Sequence, residues 1–406
     1  MANVCIIIKE TAYCASQEPE ARRLMKLNRV LFTCGGTAGH VNPALALAQR
    51  IREENPSASF LFVGADRGLE RDLISKAGYD FRAVHISSFH RSMAPKEIAH
   101  NLTSVWNLVR SPGEARAILR EFQPDAVVGT GGYASYPAVR AAAKMGIPTA
   151  VHESNMVPGL TTKLLEGSAD RIMVGFEACR ANYKHPDKVA VTGTPVRGDF
   201  FKKTKAEAKR ALGVDDGRKL IVSFWGSLGA SGMNRCMADF LMLEAAKEPF
   251  HHIHAAGKSG YPLICGLLRD KGVDLTACPS LDVREYIYDM AVVMRAADLV
   301  ISRAGASTVS ELTALGVPAL LVPSPYVTNH HQEKNAQALA DAGGAAVLAE
   351  ASCTGQSLFQ AAASILHDEA KCTDMERNMA KLGVRDATER ILGVIEEVCA
   401  AKRRKQ

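Results

Sequence analysis

Short apolar runs rich in β-branched and aromatic residues alternate with amphipathic stretches along almost the whole chain. The runs at 29–33, 59–63, 126–129, 149–152, 171–174 and 189–192 predict strands, and a second set at 220–224, 252–256, 299–302 and 319–322 repeats the pattern. Helical stretches such as 69–77 and 141–145 lie between them. This alternation predicts an α/β protein of parallel sheets with helices on both faces. Two sets of strands predict two Rossmann-like, doubly wound domains facing a cleft. Their boundary is expected at Gly193-Thr-Pro195, where Gly and Pro break regular structure. An internal repeat points the same way. Gly132-Tyr-Ala-Ser-Tyr-Pro leads to Gly146-Ile-Pro148 and a strand, and Gly305-Ala-Ser-Thr-Val-Ser leads to Gly316-Val-Pro318 and another. In such sheets ligands bind beyond the carboxyl ends of the strands.

The turns after those strands carry the candidate chemistry. Cys34-Gly-Gly-Thr-Ala-Gly-His-Val-Asn-Pro43 follows the first strand and opens a helical stretch at Ala44, with Pro43 expected near the first helical turn. Its backbone N–H groups would point at a bound group, and His40 in the same loop is a candidate acceptor for the proton of a hydroxyl nucleophile. The spacing is not a dinucleotide fingerprint, and a purely structural turn accounts for the glycines equally well. Gly129-Thr-Gly-Gly-Tyr-Ala-Ser135 is a second loop of the kind. His152 and Glu153 end the next strand with side chains on opposite faces. With Ser154 and Asn155 they form either a polar wall around a hydroxyl-rich substrate or a cap on the next helix.

In the second half, Gly226-Ser-Leu-Gly-Ala-Ser231 offers Ser227 and loop amides to a phosphate. Ser302-Arg-Ala-Gly-Ala-Ser-Thr308 leads into a helix expected from Ser307. Glu311, one turn in, can accept hydrogen bonds from both hydroxyls of a ribose; the alternative is an acid placed to suit the helix dipole. Asn329-His-His-Gln-Glu-Lys-Asn335 carries amides and imidazoles suited to sugar hydroxyls. No Asp-x-Asp pair stands out to hold a divalent metal on a diphosphate, so no metal or other cofactor is expected.

Composition narrows the class. A chain of 406 residues, 47% apolar, can bury two cores. The formal charge of +6 suits an acidic ligand or an anionic membrane surface. Without basic runs interleaved with aromatics, nucleic acid is not an expected partner. The ten cysteines lack C-x-x-C pairs or metal spacing and read as reduced cytosolic thiols. No apolar run approaches the length of a membrane span. Residues 1–9 are apolar but lack the basic flank of a signal peptide, so 1–27 are expected to be a disordered extension, with Met25 an alternative start. Ile98, Leu102, Val105 and Val109 recur at helical spacing beside Trp106 and Leu108, flanked by Arg91, Lys96 and Arg110. That face either buries in a core or, with Lys163, docks on anionic headgroups.

Taken together, the motifs resemble the MurG family of peptidoglycan N-acetylglucosaminyltransferases, which are of the two-domain GT-B type. The matching runs are Gly35-Gly-Thr-Ala-Gly-His40, Gly131-Gly-Tyr-Ala-Ser135, Gly146-Ile-Pro148, His152-Glu-Ser-Asn155, Gly193-Thr-Pro-Val-Arg197, Gly226-Ser-Leu-Gly-Ala230, Gly305-Ala-Ser-Thr-Val-Ser-Glu311 and His331-Gln-Glu-Lys-Asn335. They come in family order from about Arg29 to Glu397, and jointly they are specific. The resemblance implies an inverting transfer of N-acetylglucosamine from UDP-GlcNAc to the MurNAc 4-hydroxyl of undecaprenyl-diphospho-MurNAc-pentapeptide. The setting implied is the inner face of the cytoplasmic membrane, with possible contacts to other cell-wall synthesis proteins.

It also implies an acceptor- and membrane-side domain over 28–197, with a C-terminal helix at 385–400 packing back on it, and a UDP-GlcNAc domain over 198–384. By similarity, Arg197 and the backbone at Ile287 meet the uracil and Glu311 holds the ribose. Ser227 with Ala306, Ser307 and Thr308 holds the diphosphate, while His331, Gln332 and Asn335 attend the sugar. Thr37, Gly39, Tyr133, His152 and Asn155 face the acceptor, with His40 the expected base and Glu153 the next candidate. Two departures stand out: Trp225 and Ala38 occupy positions where glycine is frequent in the family. Two other readings use the same architecture: a UDP-GlcNAc 2-epimerase, which needs no lipid acceptor, and a non-catalytic sugar-nucleotide-binding subunit.

Overall fold

The computed structural model describes residues 27–66, 68–87, 95–226, 230–247, 250–327 and 330–405, with the side chains of 38, 95–103, 105, 108 and 109 outside that description. The expected extension therefore lies outside the described residues except for Leu27. The first half runs β1 (Arg29–Thr33), α1 (Ala38–Glu54), β2 (Ser59–Ala65), α2 (Glu70–Lys76), β3 (Asp80–Val84), α3 (Pro95–Phe122), β4 (Ala126–Gly129), α4 (Ser135–Lys144), β5 (Thr149–Glu153), α5 (Leu160–Leu165), β6 (Arg171–Val174) and β7 (Val189–Val191). The second runs α6 (Lys205–Leu212), β8 (Lys219–Phe224), α7 (Ser231–Lys247), β9 (Phe250–Ala255), α8 (Gly260–Asp270), β10 (Leu281–Arg284), α9 (Met290–Ala296), β11 (Leu299–Ser302) and α10 (Ala306–Leu315). It ends with β12 (Ala319–Leu321), α11 (His331–Asp341), β13 (Ala345–Val347), α12 (Gly355–Leu366), α13 (Glu369–Leu382) and α14 (Ala387–Arg403).

The strands form two all-parallel sheets, in the orders β3-β2-β1-β4-β5-β6-β7 and β10-β9-β8-β11-β12-β13. Both wind outward in two directions from their first strand, the doubly wound arrangement expected from the sequence. The register β1–β4 sets Leu31 beside Val127, and β8–β11 sets Val222 beside Val300. Central strands bury both faces, so they read as unbroken apolar runs. In β1, Val30 and Phe32 enter one core with Ile391, Leu392 and Ile395 of α14, while Leu31 enters the other with Leu119 of α3 and Val139 of α4. Thus α14, last in the chain, closes the first sheet. Lys402 near its end pairs with Asp170 at 3.1 Å.

The internal repeat has a structural meaning. Gly132 to Pro148 spans the β4–α4–β5 connection, and Gly305 to Pro318 spans β11–α10–β12. These are the same step of the two sheets, fourth strand to fifth.

Candidate functional site

The winding of each sheet reverses between β1 and β4 and between β8 and β11. The turns at the ends of these strands form the site. After β1, Thr37 is extended (φ −148°, ψ 155°) and α1 begins at Ala38. Gly39 and His40 therefore stand in the first turn of the helix, not in the loop, and Pro43 lies inside the helix. Gly36, at φ +87°, makes the turn that precedes it.

The His40 ring is half-buried and its Nδ1 lies 2.9 Å from the Gly35 carbonyl, with Thr37 Oγ1 at 3.3 Å. A carbonyl only accepts, so Nδ1 carries the proton and Nε2 of the neutral ring is bare. The loop after β4 closes over it. Thr130 donates to the His40 carbonyl at 2.6 Å, and the single Ser135 hydroxyl proton is shared between the carbonyls of Thr33 (2.9 Å) and Gly131 (2.7 Å). A Cβ at Gly131 would stand 2.6 Å from the imidazole Cδ2, and one at Gly132 would collide with the Gly35 carbonyl oxygen. Both glycines let one loop lie against the other. Tyr133 is half-buried beside Gly36, and burial, then the carboxylates of Glu70 and Asp66, raise its hydroxyl above the ordinary tyrosine value.

Across the cleft, α10 starts at Ala306, and its first-turn amides have no partner within the helix. A Cβ on Gly39 would lie 3.1 Å from Ser307 Oγ, so the His40 turn and the α10 terminus meet. Asn335 of α11 joins the halves a second time. It accepts from the Met156 N–H at 3.1 Å and donates to the Ala304 carbonyl at 3.0 Å. Glu311 is half-buried on α10, yet its surroundings push the carboxyl up to about 7. Burial is the main cause, Arg197 pulls the other way and Asp199 adds to the rise. Arg197 pairs with Asp199 at 3.3 Å and stands over the Phe200 ring. A cavity of about 230 Å³ opens there, lined among others by Arg197, Asp199, Lys202 and Tyr288.

Comparison with known proteins decides the family. Residues 30–174 match the glycosyltransferase family 28 N-terminal domain and residues 220–391 its C-terminal domain. The chain belongs to glycosyltransferase family 28. A relative from Acetivibrio thermocellus is named UDP-N-acetylglucosamine--N-acetylmuramyl-(pentapeptide) pyrophosphoryl-undecaprenol N-acetylglucosamine transferase. It is 38% identical over 92% of this chain and 99% of its own length. One of the same name from Desulforamulus reducens is 36% identical over 91% and 98%. The crystal structure of Acinetobacter baumannii MurG superposes with a TM-score of 0.71 at 26% identity, covering 91% of this chain and 99% of that one. A UDP-GlcNAc 2-epimerase from Neisseria meningitidis, at 17% identity and a TM-score of 0.59, shares the fold alone.

Within this family 28 enzyme the structure brings Thr37, Gly39, His40 and Tyr133 together opposite Ser307. Ala306, Ser307 and Thr308 form the first turn of α10, and Glu311 follows on the next. Gln332, half-buried on α11, accepts from the Ser324 N–H at 2.8 Å, and His331 begins that helix. Ser227 and Asn329 lie outside the described residues.

Three expectations need correction. His152 is fully buried and cannot touch an acceptor. Its Nε2 donates to the Gly193 carbonyl at 3.0 Å and its Nδ1 accepts from Ser154 at 3.3 Å, while burial pulls its pKa below the usual histidine range. Glu153 has both oxygens occupied, by Asn155 N (3.1 Å) and Nδ2 (3.0 Å) on one and by Gly159 N (2.9 Å) and Thr162 Oγ1 (2.8 Å) on the other. It knots its own loop and holds Asn155 in it. Asn335 is buried, with both ends of its amide spent on the link between the halves. Ile287 needs no such correction: its side chain is buried in one core of the second sheet, with Met294 and Val309, and the expectation concerned its backbone.

Two residues escaped the sequence reading. Glu70 is fully buried beneath the first loop. Arg303 binds Glu350 at 2.7 Å and the Val322 carbonyl at 2.9 Å, and its guanidinium lies over the Trp225 ring. That ring is buried in the other core of the second sheet, with Met237 and Phe240, which explains how a tryptophan is accommodated here.

Proposed function

We propose that this enzyme transfers N-acetylglucosamine from UDP-GlcNAc to the 4-hydroxyl of MurNAc in undecaprenyl-diphospho-MurNAc-pentapeptide, converting lipid I to lipid II in peptidoglycan synthesis. The relatives' names supply the substrates. The approach of the His40 turn to the N-terminus of α10 is the observation that carries the chemistry, because it sets a base opposite an anion-binding helix end.

The acceptor hydroxyl attacks the anomeric carbon as the bond from that carbon to the β-phosphate oxygen breaks, so the α-linked donor gives a β-linked product. His40 Nε2 takes the hydroxyl proton, which is worth on the order of 10²–10⁴ in rate. The departing UDP carries its new charge onto the amides of Ala306, Ser307 and Thr308 and onto Ser227. Arg197 and the Ile287 backbone hold the uracil, Glu311 the ribose, and His331 and Gln332 the sugar. Thr37, Gly39, Tyr133 and Asn155 line the acceptor side. His152, Glu153 and Asn335 support these residues from beneath. In this reading the domains are 28–197 with the 385–400 helix, for the acceptor and membrane, and 198–384 for the donor. Contact between them excludes water from the donor.

A lipid-linked acceptor supports a site of action at the cytoplasmic face of the bacterial membrane. Among the described residues no helix is long and apolar enough to cross a bilayer, so the attachment proposed is peripheral. The test is incubation with UDP-GlcNAc, with and without a lipid-linked acceptor. UDP release that depends on the acceptor, with a disaccharide-lipid product, is expected. Formation of UDP-ManNAc or 2-acetamidoglucal without acceptor would replace this reading by the epimerase.

A further inference from the structure

Glu70 opens α2, yet it faces inward with no exposed surface. Three glycines clear the space it fills. A Cβ on Gly35 would stand 2.7 Å from Glu70 Oε1, one on Gly64 would stand 2.9 Å from its Cγ, and one on Gly68 would overlap Oε2. Burying a carboxylate is costly unless hydrogen bonds compensate it. Here Oε1 accepts from the Ala65 N–H at 3.1 Å and Oε2 accepts from the Gly36 N–H at 3.3 Å. Its charge reaches the walls of the site: after burial itself, it is the largest influence raising the Cys34 thiol to about 12 and the Tyr133 hydroxyl above its ordinary value.

The Gly36 N–H and the Gly35 C=O belong to one peptide unit. Glu70 accepts from the nitrogen of that unit, and the oxygen accepts from His40 Nδ1–H at 2.9 Å. A trans peptide directs its N–H and C=O in opposite directions, so carboxylate, amide and imidazole form one hydrogen-bonded chain. A negative group on the N–H end polarises the amide and strengthens the carbonyl as an acceptor.

We propose that Glu70 is a positioning residue for the transfer reaction, acting on His40 through the Gly35–Gly36 peptide. It locks the loop so that Nδ1 stays protonated and Nε2 faces the acceptor. When Nε2 takes the hydroxyl proton, the positive charge on the ring is stabilised through the polarised amide. The arrangement does what a carboxylate in direct contact with a catalytic histidine does, with a peptide bond interposed. It rests on the reading of His40 as the base.

The test is a double-mutant cycle on the full-length enzyme, reading kcat, both KM values and UDP affinity. Glu70→Gln removes the charge and little volume. It is expected to lower kcat roughly 10- to 100-fold, the scale seen when the hydrogen-bond partner of a metal-bound imidazole is lost, with the KM for UDP-GlcNAc unchanged. His40→Ala is expected to lower kcat by about 10²-fold or more. Because Glu70 acts through His40, adding Glu70→Gln to His40→Ala should cost nothing further. A merely structural Glu70 would give losses that multiply. Wild-type kcat in Glu70→Gln, or multiplying losses, overturns the inference. Near-normal turnover in His40→Ala overturns the base assignment and the inference with it, while absence of acceptor-dependent UDP release from the wild type overturns the function. If Glu70→Gln does not fold, Gly68→Ala decides. Its Cβ crowds Oε2, the flexible end of the side chain, and moves the carboxylate off Gly36 while keeping its charge. A folded Gly68→Ala with wild-type kcat overturns the inference, and a matching loss of kcat supports it.

Discussion

At the scale of the residue, Glu311 has the clearest solution signature. Its carboxyl ordinarily titrates near 4.5 and is raised to about 7 in the folded protein. Below pH 4.5 both folded and unfolded chains hold the proton and the group has no effect on stability. Between 4.5 and 7 only the folded chain holds it, so stability falls as pH rises through this window, and the penalty is complete above 7. Glu311→Gln should therefore raise the melting temperature of the free enzyme at pH 8 and leave it unchanged near pH 4.5. In the proposed reading ribose hydroxyls donate to the ionised form, so UDP should bind the wild type more tightly at pH 8 than at pH 6. Glu311→Ala should cost about 1–3 kcal/mol of UDP affinity at pH 8. Calorimetry that finds UDP affinity independent of both pH and the substitution would return Glu311 to its helix-dipole role. The turns that lead to this residue and to His40 are legible in the sequence because glycines after apolar runs announce where strands end. Glu70 is not. Its partner Gly36 lies 34 residues earlier, and nothing local separates a buried first-turn glutamate from a solvated one. His152 failed in the opposite sense: a polar residue at a strand end looks available until the neighbouring strands bury it.

Among the elements, every strand that the apolar pattern predicts is present, and the three it missed share a cause. β3, β10 and β13 are all edge strands. Asp80-Phe-Arg-Ala-Val84 and Leu281-Asp-Val-Arg284 keep polar residues on the open side, and Ala345-Ala-Val347 is short, so none makes an apolar run. The start of α1 was misplaced toward Pro43, because proline favours a first turn. Thr37 adopts the extended N-cap conformation instead, and the helix carries Pro43 inside it. The link from α11 to the loop after β5 was beyond any local reading, since Met156 and Asn335 are 179 residues apart. It makes a distinct prediction. Asn335→Ala leaves the Met156 N–H and the Ala304 carbonyl without their partner and should cost about 1–3 kcal/mol by chemical denaturation. Asn335→Asp should do no better, because a carboxylate cannot donate to the Ala304 carbonyl. Wild-type denaturation of either variant would show that the link adds nothing to stability.

The whole molecule poses the question of how a water-exposed cleft reaches a lipid-bound sugar. The sequence pointed to a face on α3, and the side chains of Lys96, Ile98, Leu102, Val105, Leu108 and Val109, together with Arg91, lie outside the described residues. What the described residues add is a second contributor. Trp106 on α3 is 66% exposed, and Leu160 and Leu164 on α5 are 61% and 51% exposed. Both helices pack on α4, whose preceding loop closes over His40. Lys163 is exposed between the two leucines, while Arg110 is already paired with Glu114 at 3.2 Å. Apolar side chains that insert at the interface, with a cation beside them, give binding that is reversible and weakened by salt. Replacing Trp106, Leu160 and Leu164 together by serine removes exposed surface only, so folding and UDP affinity should stay as in the parent. Sedimentation with anionic vesicles should fall, and turnover of a vesicle-embedded acceptor should fall with it. A short-chain acceptor free in solution should be turned over at the parental rate, because the proposed base stands in the first turn of α1, on neither of these helices. A triple variant that sediments with vesicles as well as its parent would move the docking face elsewhere. One that loses turnover with the soluble acceptor would mean that these side chains shape the acceptor site itself.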